Sequence, residues 1–476
     1  QTNSYYFAQD DWRIHPRLTL NLGLRYELAM PWYHPQDFWG TLHPGQQSQV
    51  VKTAPSGMVF PGDPGVPRGL VPTDKNNFAP RIGFAWDPFG NGRTSVRGAF
   101  GIFYETINSD IIQNSGQPFR YTFTFNAPAS LVNPLQGQAA IPYAVNLANP
   151  QFTGLQQLFY PDASLRSPYV EHFNLNVQRE VVKDLSVQVG YVGKLGRKLL
   201  MGLSANPAVF APGATLANIN SRRLLTTFGN NSIISSRAVS TYHSLQAEVN
   251  KRFSRGFSLQ GVYAYSKTID MASGNALGAA VPNVFDLRTQ YGLADFDARH
   301  IASISWIWDL PRLANLAAPV RAVVGGWQVN GLFTTRSGRP LNILSGEDVA
   351  LSGTPNQRAD VIGNHRLPDG RSKNDQILAW FDRAAFARPA AGTYGNVGRN
   401  ALIGPAATNT NIGVFKNFGI PGREGMRLQF RSEFFNALNA VALGNPNTML
   451  NAGVRMGRIT SAGSGRVIQF ALKLLF

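Results

Sequence analysis

The stretch LTLNLGLRYE, residues 18–27, alternates apolar and polar side chains along its whole length. The apolar side chains, which recur at every second position, belong to Leu18, Leu20, Leu22, Leu24 and Tyr26. The positions between them hold threonine, asparagine, glycine, arginine and glutamate. A period of two residues predicts a β-strand with one apolar face and one polar face.

The same alternation recurs along the chain. It is clear in FAPRIGFAW (78–86), FNLNVQ (173–178) and MRLQFRSEF (426–434). It also fills RVIQFALKLLF (466–476), where the alternating apolar residues are Ile468, Phe470, Leu472, Leu474 and Phe476. The pattern predicts about thirteen strands. Their expected centres lie near residues 9, 22, 82, 100, 174, 188, 247, 261, 303, 330, 412, 430 and 470.

Alternating strands suit both a soluble β-sandwich and a transmembrane β-barrel, and three features favour the barrel. The polar faces are rich in Asn, Gln, Gly and Arg, with few of the lysines and glutamates that usually coat a soluble surface. Short turns alternate with long loops, the short ones being HPR (15–17), FGNGR (89–93), VVKD (181–184) and SRG (254–256). Aromatic residues occur at the ends of the apolar faces, where an aromatic girdle at the membrane interface is expected. They are Tyr26, Trp86, Tyr104, Tyr191 and Phe476.

The sequence therefore predicts an all-β fold, an antiparallel transmembrane β-barrel with long extracellular loops. The alternation also predicts which side chains face each way. We expect the lipid to be contacted by Leu20, Leu22, Phe84, Val187 and Phe430. We expect the lumen to be lined by Asn21, Arg25, Arg81, Gln188, Arg427 and Arg431.

The composition excludes several other classes of protein. The net charge is +17, but the basic residues are scattered and mostly arginine, a pattern that argues against nucleic-acid binding and favours a polar interior or a phosphate-rich surface. No run of 18 apolar residues is present, which argues against transmembrane helices, whereas a membrane-spanning strand needs only about 9–11 residues. The absence of cysteine fits a protein of an oxidising compartment.

The long loops have an unusual composition. Between Tyr121 and Pro161 there is no charged residue, and the prolines of this segment argue against a helix or a buried strand of any length. We expect this segment, and residues 31–77, to pack as an extracellular layer. Four aromatic residues in the second segment could stack on sugar rings, but we favour packing inside the loop as their role; they are Trp32, Tyr33, Phe38 and Trp39.

Candidate catalytic groups are isolated. His300, in DFDARH, lies beside two aspartates and Arg299, and we interpret this motif as a strand entrance held by ion pairs rather than as a catalytic group. GNGR (90–93) lacks the strand, loop and helix of a phosphate-binding loop and reads as a hairpin turn. The spacing of histidine and acidic residues indicates no metal site. The sequence therefore predicts a protein that is not an enzyme and holds no cofactor.

Several longer motifs occur in a fixed order. They are YYFAQDDWRIHPRLTLNLGLRYE, NFAPRIGFAWDPFGNGRTSVRGAFGIFYE, DFDARHIASISWIWDLP, TYGNVGRNALIGP, FRSEFFNALN and the terminal ALKLLF. Together they resemble the barrel of TonB-dependent outer-membrane receptors of the Oar-like group. The resemblance implies a barrel of about 22 strands closed by an N-terminal plug, which receives energy through a segment called the TonB box. Many members carry a carboxypeptidase regulatory-like domain before the plug.

The sequence begins at Gln1 with no secretory signal and no plug, so we expect residues 1–476 to be the C-terminal portion of such a barrel. An odd number of strands makes the first and last run in the same direction, which disfavours closure of this portion on itself. We therefore expect an antiparallel, curved, open half-barrel whose first and last strands each have an unpaired outer edge.

Two functions remain for a bacterial outer-membrane protein of this kind. The first is active import of a nutrient such as a metal chelate, a glycan or a peptide. The second is a surface barrel that anchors adhesive or envelope-organising loops without active transport. The resemblance implies outer-membrane lipid, lipopolysaccharide and TonB, the last through the missing plug, as partners. It also implies that the barrel assembly machinery recognises the C-terminal strand ending at Phe476.

Overall fold

The computed structural model describes residues 2–107, 149–152, 155–274, 281–311, 313–315, 317–355, 357–420, 422–423 and 425–476. Thirteen long strands cross the main sheet, and we number them in chain order. They are β1 (Asn3–His15), β2 (Leu18–Ala29), β3 (Asn77–Trp86), β4 (Thr94–Tyr104), β5 (Tyr169–Val182), β6 (Leu185–Ser204), β7 (Ser232–Ser254), β8 (Phe257–Asp270), β9 (His300–Asp309), β10 (Trp327–Arg336), β11 (Ala407–Gly419), β12 (Arg427–Phe435) and β13 (Val467–Leu475).

Each long strand pairs antiparallel with the next one along the chain. Two short strands join the same sheet, Gly292–Leu293 beside β8 and Phe159–Pro161 in parallel beside β7. Within the described residues β1 pairs only with β2, and β13 pairs only with β12. The prediction of an all-β, antiparallel and open sheet is confirmed, and each expected strand centre lies inside an observed strand.

The connections between successive strands differ in length at the two ends of the sheet. At one end, the short-turn end, the connections are residues 16–17, 87–93, 183–184, 255–256, 310–326 and 420–426. At the other end, the loop end, they span residues 30–76, 105–168, 205–231, 271–299, 337–406 and 436–466. The connection 310–326 departs from the expected pattern of short turns, because it is longer and contains the helix α1 (Ala318–Val324).

Local chemistry explains the tightest turns. Asp184 and Arg255 have positive φ angles of 66° and 52°, and Gly256 follows at 78°. A side chain on Gly256 would also place its Cβ 3.0 Å from the carbonyl oxygen of Asp309. In the GNGR segment, the Asp87 carboxylate accepts the backbone N–H groups of Gly90 and Gly92, both at 2.9 Å. The interpretation of GNGR as a hairpin turn is confirmed.

The buried core lies among the loops at the loop end rather than between two sheet layers. The largest fully buried side chains include Phe60, Phe228, Met58, Leu158 and Ile343. By contrast, the strands of the main sheet expose large apolar side chains, such as Phe470 at 68%. An exposed apolar surface of this extent requires an apolar environment such as lipid.

Short strand pairs and helical turns connect the loops at the loop end. The two-residue strands are Thr41–Leu42 with Met58–Val59, Pro340–Leu341 with Leu402–Ile403, and Asp360–Val361 with Phe386–Ala387. The helical turns are α2 (Lys373–Leu378) and the 3₁₀ segments Asn220–Arg222, Leu287–Gln290, Arg383–Ala385 and Leu450–Arg455.

The packing expected of residues 31–77 is confirmed, whereas most of the Tyr121–Pro161 segment lies outside the described residues. No helix in the described part of the chain is long and apolar enough to cross a membrane.

Candidate functional site

The two faces of the sheet are chemically different. The pairing of residues between neighbouring strands shows which side chains share a face, from β1 to β13. Directly opposite residues of antiparallel strands point to the same side. One side, which we call the apolar face, contains Leu20, Leu22, Phe84, Val187 and Phe430. The other side, which we call the polar face, contains Asn21, Arg25, Arg81, Gln188, Arg427 and Arg431. The register thus separates the side chains expected to face lipid from those expected to face the lumen.

The charged groups of the polar face contact side chains of the same strand and of neighbouring strands. The Arg25 Nε donates to Glu27 Oε1 at 2.7 Å, and its guanidinium lies 4.6 Å from the centre of the Tyr5 ring. Arg81 lies 4.6 Å from the centre of the Phe103 ring. Such stacking fixes the flat guanidinium while leaving its N–H groups free to bind other acceptors.

Arg431 repeats this arrangement near the other edge of the sheet. Its guanidinium lies 4.6 Å from the centre of the Phe415 ring. Its Nε is buried and makes no hydrogen bond within the structure. The ring contact thus fixes this guanidinium on the polar face, with its Nε enclosed.

Two grooves cross the polar face. The first has a volume of about 520 Å³, and its polar lining residues are Gln9, Asn21, Arg81, Arg97, His172 and Asn174. The second has a volume of about 680 Å³, and its lining includes Asn250, Gln260, Asn330, Asn411 and Glu433. Apolar side chains such as Phe103 and Leu332 line the grooves as well, so the amides and arginines offer hydrogen bonds beside apolar contact surface.

The apolar face carries aromatic bands at two levels. Toward the loop end, Tyr26 packs on Phe78 with ring centres 4.9 Å apart, and Tyr265 packs on His300 at 5.1 Å. Toward the short-turn end the band includes Trp12, Trp86, Trp306, Trp308 and Trp327. Two such bands flanking an apolar zone are typical of a membrane-spanning strand layer. Two carboxylates depart from this pattern. Glu171 lies opposite Leu195 on the apolar face and is 4.0 Å from Arg197, and Asp10 lies opposite Leu22 with no described contact.

The terminal strand continues the apolar face. Ile468, Phe470, Leu472 and Leu474 lie opposite Phe434, Ser432, Phe430 and Leu428 of β12. Phe476 follows the last paired residue and is 95% exposed. The side chains expected to serve in assembly therefore form one exposed apolar row at an unpaired edge of the described sheet.

The four aromatic residues that the sequence offered as candidates for stacking on a sugar lie in different surroundings. Trp39 is buried and packs with Val59, Val66 and Leu70, with Trp32 against the same cluster. The Trp32 Nε1 donates to the carbonyl oxygen of Ile107 at 3.2 Å. Loop packing is therefore the role that the structure gives to these two tryptophans.

The other two aromatic residues are less enclosed. Phe38 stacks on His34 with ring centres 5.0 Å apart. Tyr33 is 46% exposed, and Arg68 lies 4.3 Å from the centre of its ring. Of the four, Tyr33 presents the most surface to a ligand at the loop end.

A buried ionic network joins two loops, and sequence reasoning missed it. Arg399 and Asp270 form an ion pair whose side chains are only 7% and 4% exposed. Arg399 Nη2 also donates to Asp295 Oδ1 at 3.1 Å and to Ser273 Oγ at 2.6 Å. The one signal in the sequence was an arginine and an asparagine, Arg399 and Asn400, within an otherwise uncharged stretch of TYGNVGRNALIGP.

A second arginine is buried beside this network. Arg358 Nη2 donates to the carbonyl oxygen of Thr289 at 2.9 Å. Burial, together with the positive charge of Arg399, lowers the pKa of Arg358 below its ordinary value. The loops 271–299 and 337–406 are thus joined by buried cations as well as by apolar packing.

The DFDARH motif behaves as the ion-paired strand entrance that the sequence analysis favoured. Asp295 pairs with Arg399, and Asp297 lies 4.0 Å from Arg299. Asp297 Oδ1 also accepts the backbone N–H of Thr268 at 2.6 Å. His300 shares a hydrogen bond of 2.8 Å with the Tyr263 hydroxyl on the apolar face, away from these carboxylates. Among the described residues there is no group of three His, Cys, Asp or Glu that could hold a metal ion.

Comparison with known proteins agrees with this architecture. Residues 1–469 match the family model described as an outer membrane beta barrel domain. The TonB-dependent transporter Oar of Myxococcus xanthus is 31% identical over 133 residues, which are 28% of this chain and 9% of Oar. This chain therefore matches only a small part of that relative's length.

Among solved structures, the outer membrane transporter YddB from Escherichia coli superposes with a TM-score of 0.51 and 11% sequence identity. The match covers 100% of this chain and 45% of YddB, so the chain spans less than half of that transporter. At this level of identity the likeness concerns the fold alone. These relatives are transporters by name rather than enzymes.

Proposed function

We propose that this chain, which belongs to the outer-membrane β-barrel domain family, forms part of the wall of a TonB-dependent transporter that imports a nutrient across the bacterial outer membrane. The observation that carries the proposal is the polar face, on which arginines and amides surround two grooves. This lining would give a hydrophilic nutrient donors and acceptors to bind along the wall. Nutrients that arginines and amides would bind include an anionic metal chelate, a glycan or a peptide.

In this proposal the apolar face contacts lipid and the polar face lines the lumen. The loop layer lies outside the cell, where lipopolysaccharide is the neighbouring lipid, and the short-turn end lies in the periplasm. The unpaired edges at β1 and β13 pair with strands from the rest of the barrel, since a lipid-exposed edge leaves backbone groups unsatisfied. TonB supplies the energy through a plug, and the assembly machinery recognises the strand that ends at Phe476.

The growth of deletion strains tests the import function. If the chain belongs to a TonB-dependent importer, deletion of its gene and deletion of tonB will abolish growth on the same limiting metal chelate, glycan or peptide. If the barrel is only an anchor for adhesive loops, deletion of its gene will change adhesion and will not reproduce any growth defect of the tonB strain.

A pair of substitutions links the growth defect to the polar face. Arg81→Gln removes a cation from the first groove, whereas Arg423→Gln removes one from the turn 420–426. We expect the first variant to raise the nutrient concentration needed for half-maximal growth and the second to leave it unchanged. Equal effects of both variants, at equal barrel abundance, would contradict a ligand path along the polar face.

A further inference from the structure

The connection 310–326 contains a short helix with an exposed apolar stripe. Within α1, Val320, Val323 and Val324 are spaced i, i+3 and i+4, so they lie on one side of the helix. They are 49%, 64% and 46% exposed, respectively. Arg321 lies off this stripe, and its Nη1 donates to the carbonyl oxygen of Ala314 at 3.3 Å. The helix is therefore amphipathic, and its apolar side has no partner among the described residues.

The C-terminal end of α1 is bound to the apolar face of the sheet. Lys416 Nζ donates to the carbonyl oxygens of Val323 at 2.8 Å and Gly325 at 2.6 Å. Trp327 Nε1 donates to the same Val323 oxygen at 2.9 Å. Lys416 and Trp327 lie opposite each other on β11 and β10, on the apolar face. Three hydrogen bonds therefore place the end of the helix on this side of the sheet.

This contact explains why a lysine occurs on the apolar face. The carbonyl groups at a helix C-terminus carry partial negative charge and lack partners within the helix. Lys416 satisfies two such carbonyls, and its ammonium also lies 5.1 Å from the Trp327 ring centre and 5.4 Å from that of Phe418. The side chain is only 4% exposed, so the helix takes the place of water around the charge.

The occupant of the apolar stripe follows from its position. Lys416 lies at the short-turn end, as do two other cations of the apolar face, Arg179 near the turn 183–184 and Lys251 near the turn 255–256. Tryptophans Trp308 and Trp327 occur at the same level. Cations and tryptophans together mark the height at which lipid headgroups meet acyl chains. The stripe is continuous with the face that spans the membrane.

We propose that α1 lies in the periplasmic leaflet of the outer membrane, with Val320, Val323 and Val324 among phospholipid acyl chains, and that Lys416 holds it there. The helix would thereby widen the hydrophobic belt of the barrel at one point of its circumference. This proposal depends on the membrane position of the sheet and not on import.

Residues 1–476 contain no cysteine, so a cysteine introduced among them carries the one fluorescent label once any cysteines elsewhere in the complete gene product have been replaced. The complete gene product carrying Val323→Cys is labelled with an environment-sensitive fluorophore and placed in vesicles of phosphatidylethanolamine and phosphatidylglycerol. The matched control is Asn91→Cys in the turn 87–93, where the side chain is exposed. We expect the label at residue 323 to emit at shorter wavelength than the control and to be quenched by doxyl-labelled phospholipid but not by iodide.

A second variant tests the lysine. Lys416→Met, added to Val323→Cys, removes the donor while retaining an apolar side chain of similar length, so we expect loss of the quenching by doxyl lipid. Unchanged quenching would contradict the role of Lys416. Quenching of residue 323 by iodide to the same extent as residue 91 would overturn the proposal. If the label at residue 323 is shielded from iodide in native membranes but not in vesicles, a protein partner covers the helix. That result would also overturn the proposal.

Discussion

Phe430 lies directly opposite Leu472 on the last two strands of the sheet, and the next residue, Arg431, lies opposite Ala471 on the other face. Leu472 is 68% exposed although it belongs to a well-paired strand. The same separation of apolar and polar side chains recurs along the sheet, with exceptions such as Asp10 and Lys416 on the apolar face. A single-layer sheet with one exposed apolar face and one arginine-rich face requires a different medium on each side, lipid on the first and water on the second.

An arginine on the apolar face is expected to destabilise the barrel. Leu22→Arg should lower the free energy of unfolding by about 2–4 kcal/mol if the residue lies at the bilayer midplane. Asn21→Arg, on the neighbouring residue of the polar face, is the control and should cost much less. Denaturant titration of both proteins in lipid vesicles measures the difference, and equal losses would show that the two faces meet similar surroundings.

The strands and faces were predictable because alternation is a local property. Leu22 and Asn21 differ in chemistry at adjacent positions, and the pleat of a strand turns that difference into two faces. The pairing was equally accessible, since a short turn such as residues 255–256 leaves β7 and β8 no arrangement other than a hairpin. The helix α1 was not foreseen, because its stripe extends over only two turns and its position depends on Lys416, far along the chain.

Removal of Phe476 is expected to impair assembly. Its side chain is 95% exposed and ends the apolar row of β13. If this row is what the assembly machinery recognises, deletion of Phe476 should lower the amount of folded, heat-modifiable barrel in outer membranes. Lys473→Ala, which alters the polar face of the same strand, is the control. Equal amounts of barrel in the deletion variant and the parent would show that the terminus is only a strand.

The buried ion pair of Arg399 with Asp270 should be essential to the loop layer. Arg399→Met leaves the Asp270 carboxylate buried without its partner, and we expect a loss of about 3–5 kcal/mol in the local stability of these loops. Arg288→Met removes a pair with Asp286 whose arginine is 91% exposed, so it should leave the stability of the loops nearly unchanged. Amide hydrogen exchange of residues 266–274 measures both effects. Similar exchange in the two variants would contradict the importance of the buried pair.

Acid should loosen the loop that contains Asp63. Its carboxylate accepts hydrogen bonds from Ser48 Oγ at 2.6 Å, from the backbone N–H of Gln49 at 2.6 Å and from that of Phe60 at 2.8 Å. Burial raises the pKa of Asp63, but these hydrogen bonds lower it more, so the pKa lies below its ordinary value of 3.8. A depressed pKa gives stability that is fully present above pH 3.8 and is lost as the pH falls through the folded value.

Amide exchange of residues 46–60, corrected for its intrinsic pH dependence, tests this expectation. Exchange should accelerate below pH 3.8 in the parent protein. Asp63→Asn should exchange faster already at neutral pH, because the amide cannot accept all of these bonds, at a cost of about 1–3 kcal/mol. Asp369→Asn changes a carboxylate that is 88% exposed and should have no effect. Slow exchange in Asp63→Asn would show that the loop does not depend on this carboxylate.

The candidate site was only partly predictable for a physical reason. The polar-face residues Asn21 and Arg81 could be recognised because the alternation of apolar and polar residues is visible within the sequence of each single strand. The partners of Arg399 could not, because Asp270 is 129 residues away and the two meet only when separate loops pack together. The exposure of Tyr33 and the burial of Trp39 could not be separated either, since both lie in one proline-rich segment without a period.

Accessibility along β2 tests the central claim most directly. Single cysteines at residues 20 to 25 of the complete gene product, each carrying a nitroxide, report contact with lipid through collision with oxygen and contact with water through collision with a nickel chelate. We predict that residues 20, 22 and 24 collide with oxygen and that residues 21, 23 and 25 collide with the chelate, in strict alternation. Chelate access at residues 20, 22 and 24, or no alternation at all, would contradict a membrane-spanning wall with a polar lumen.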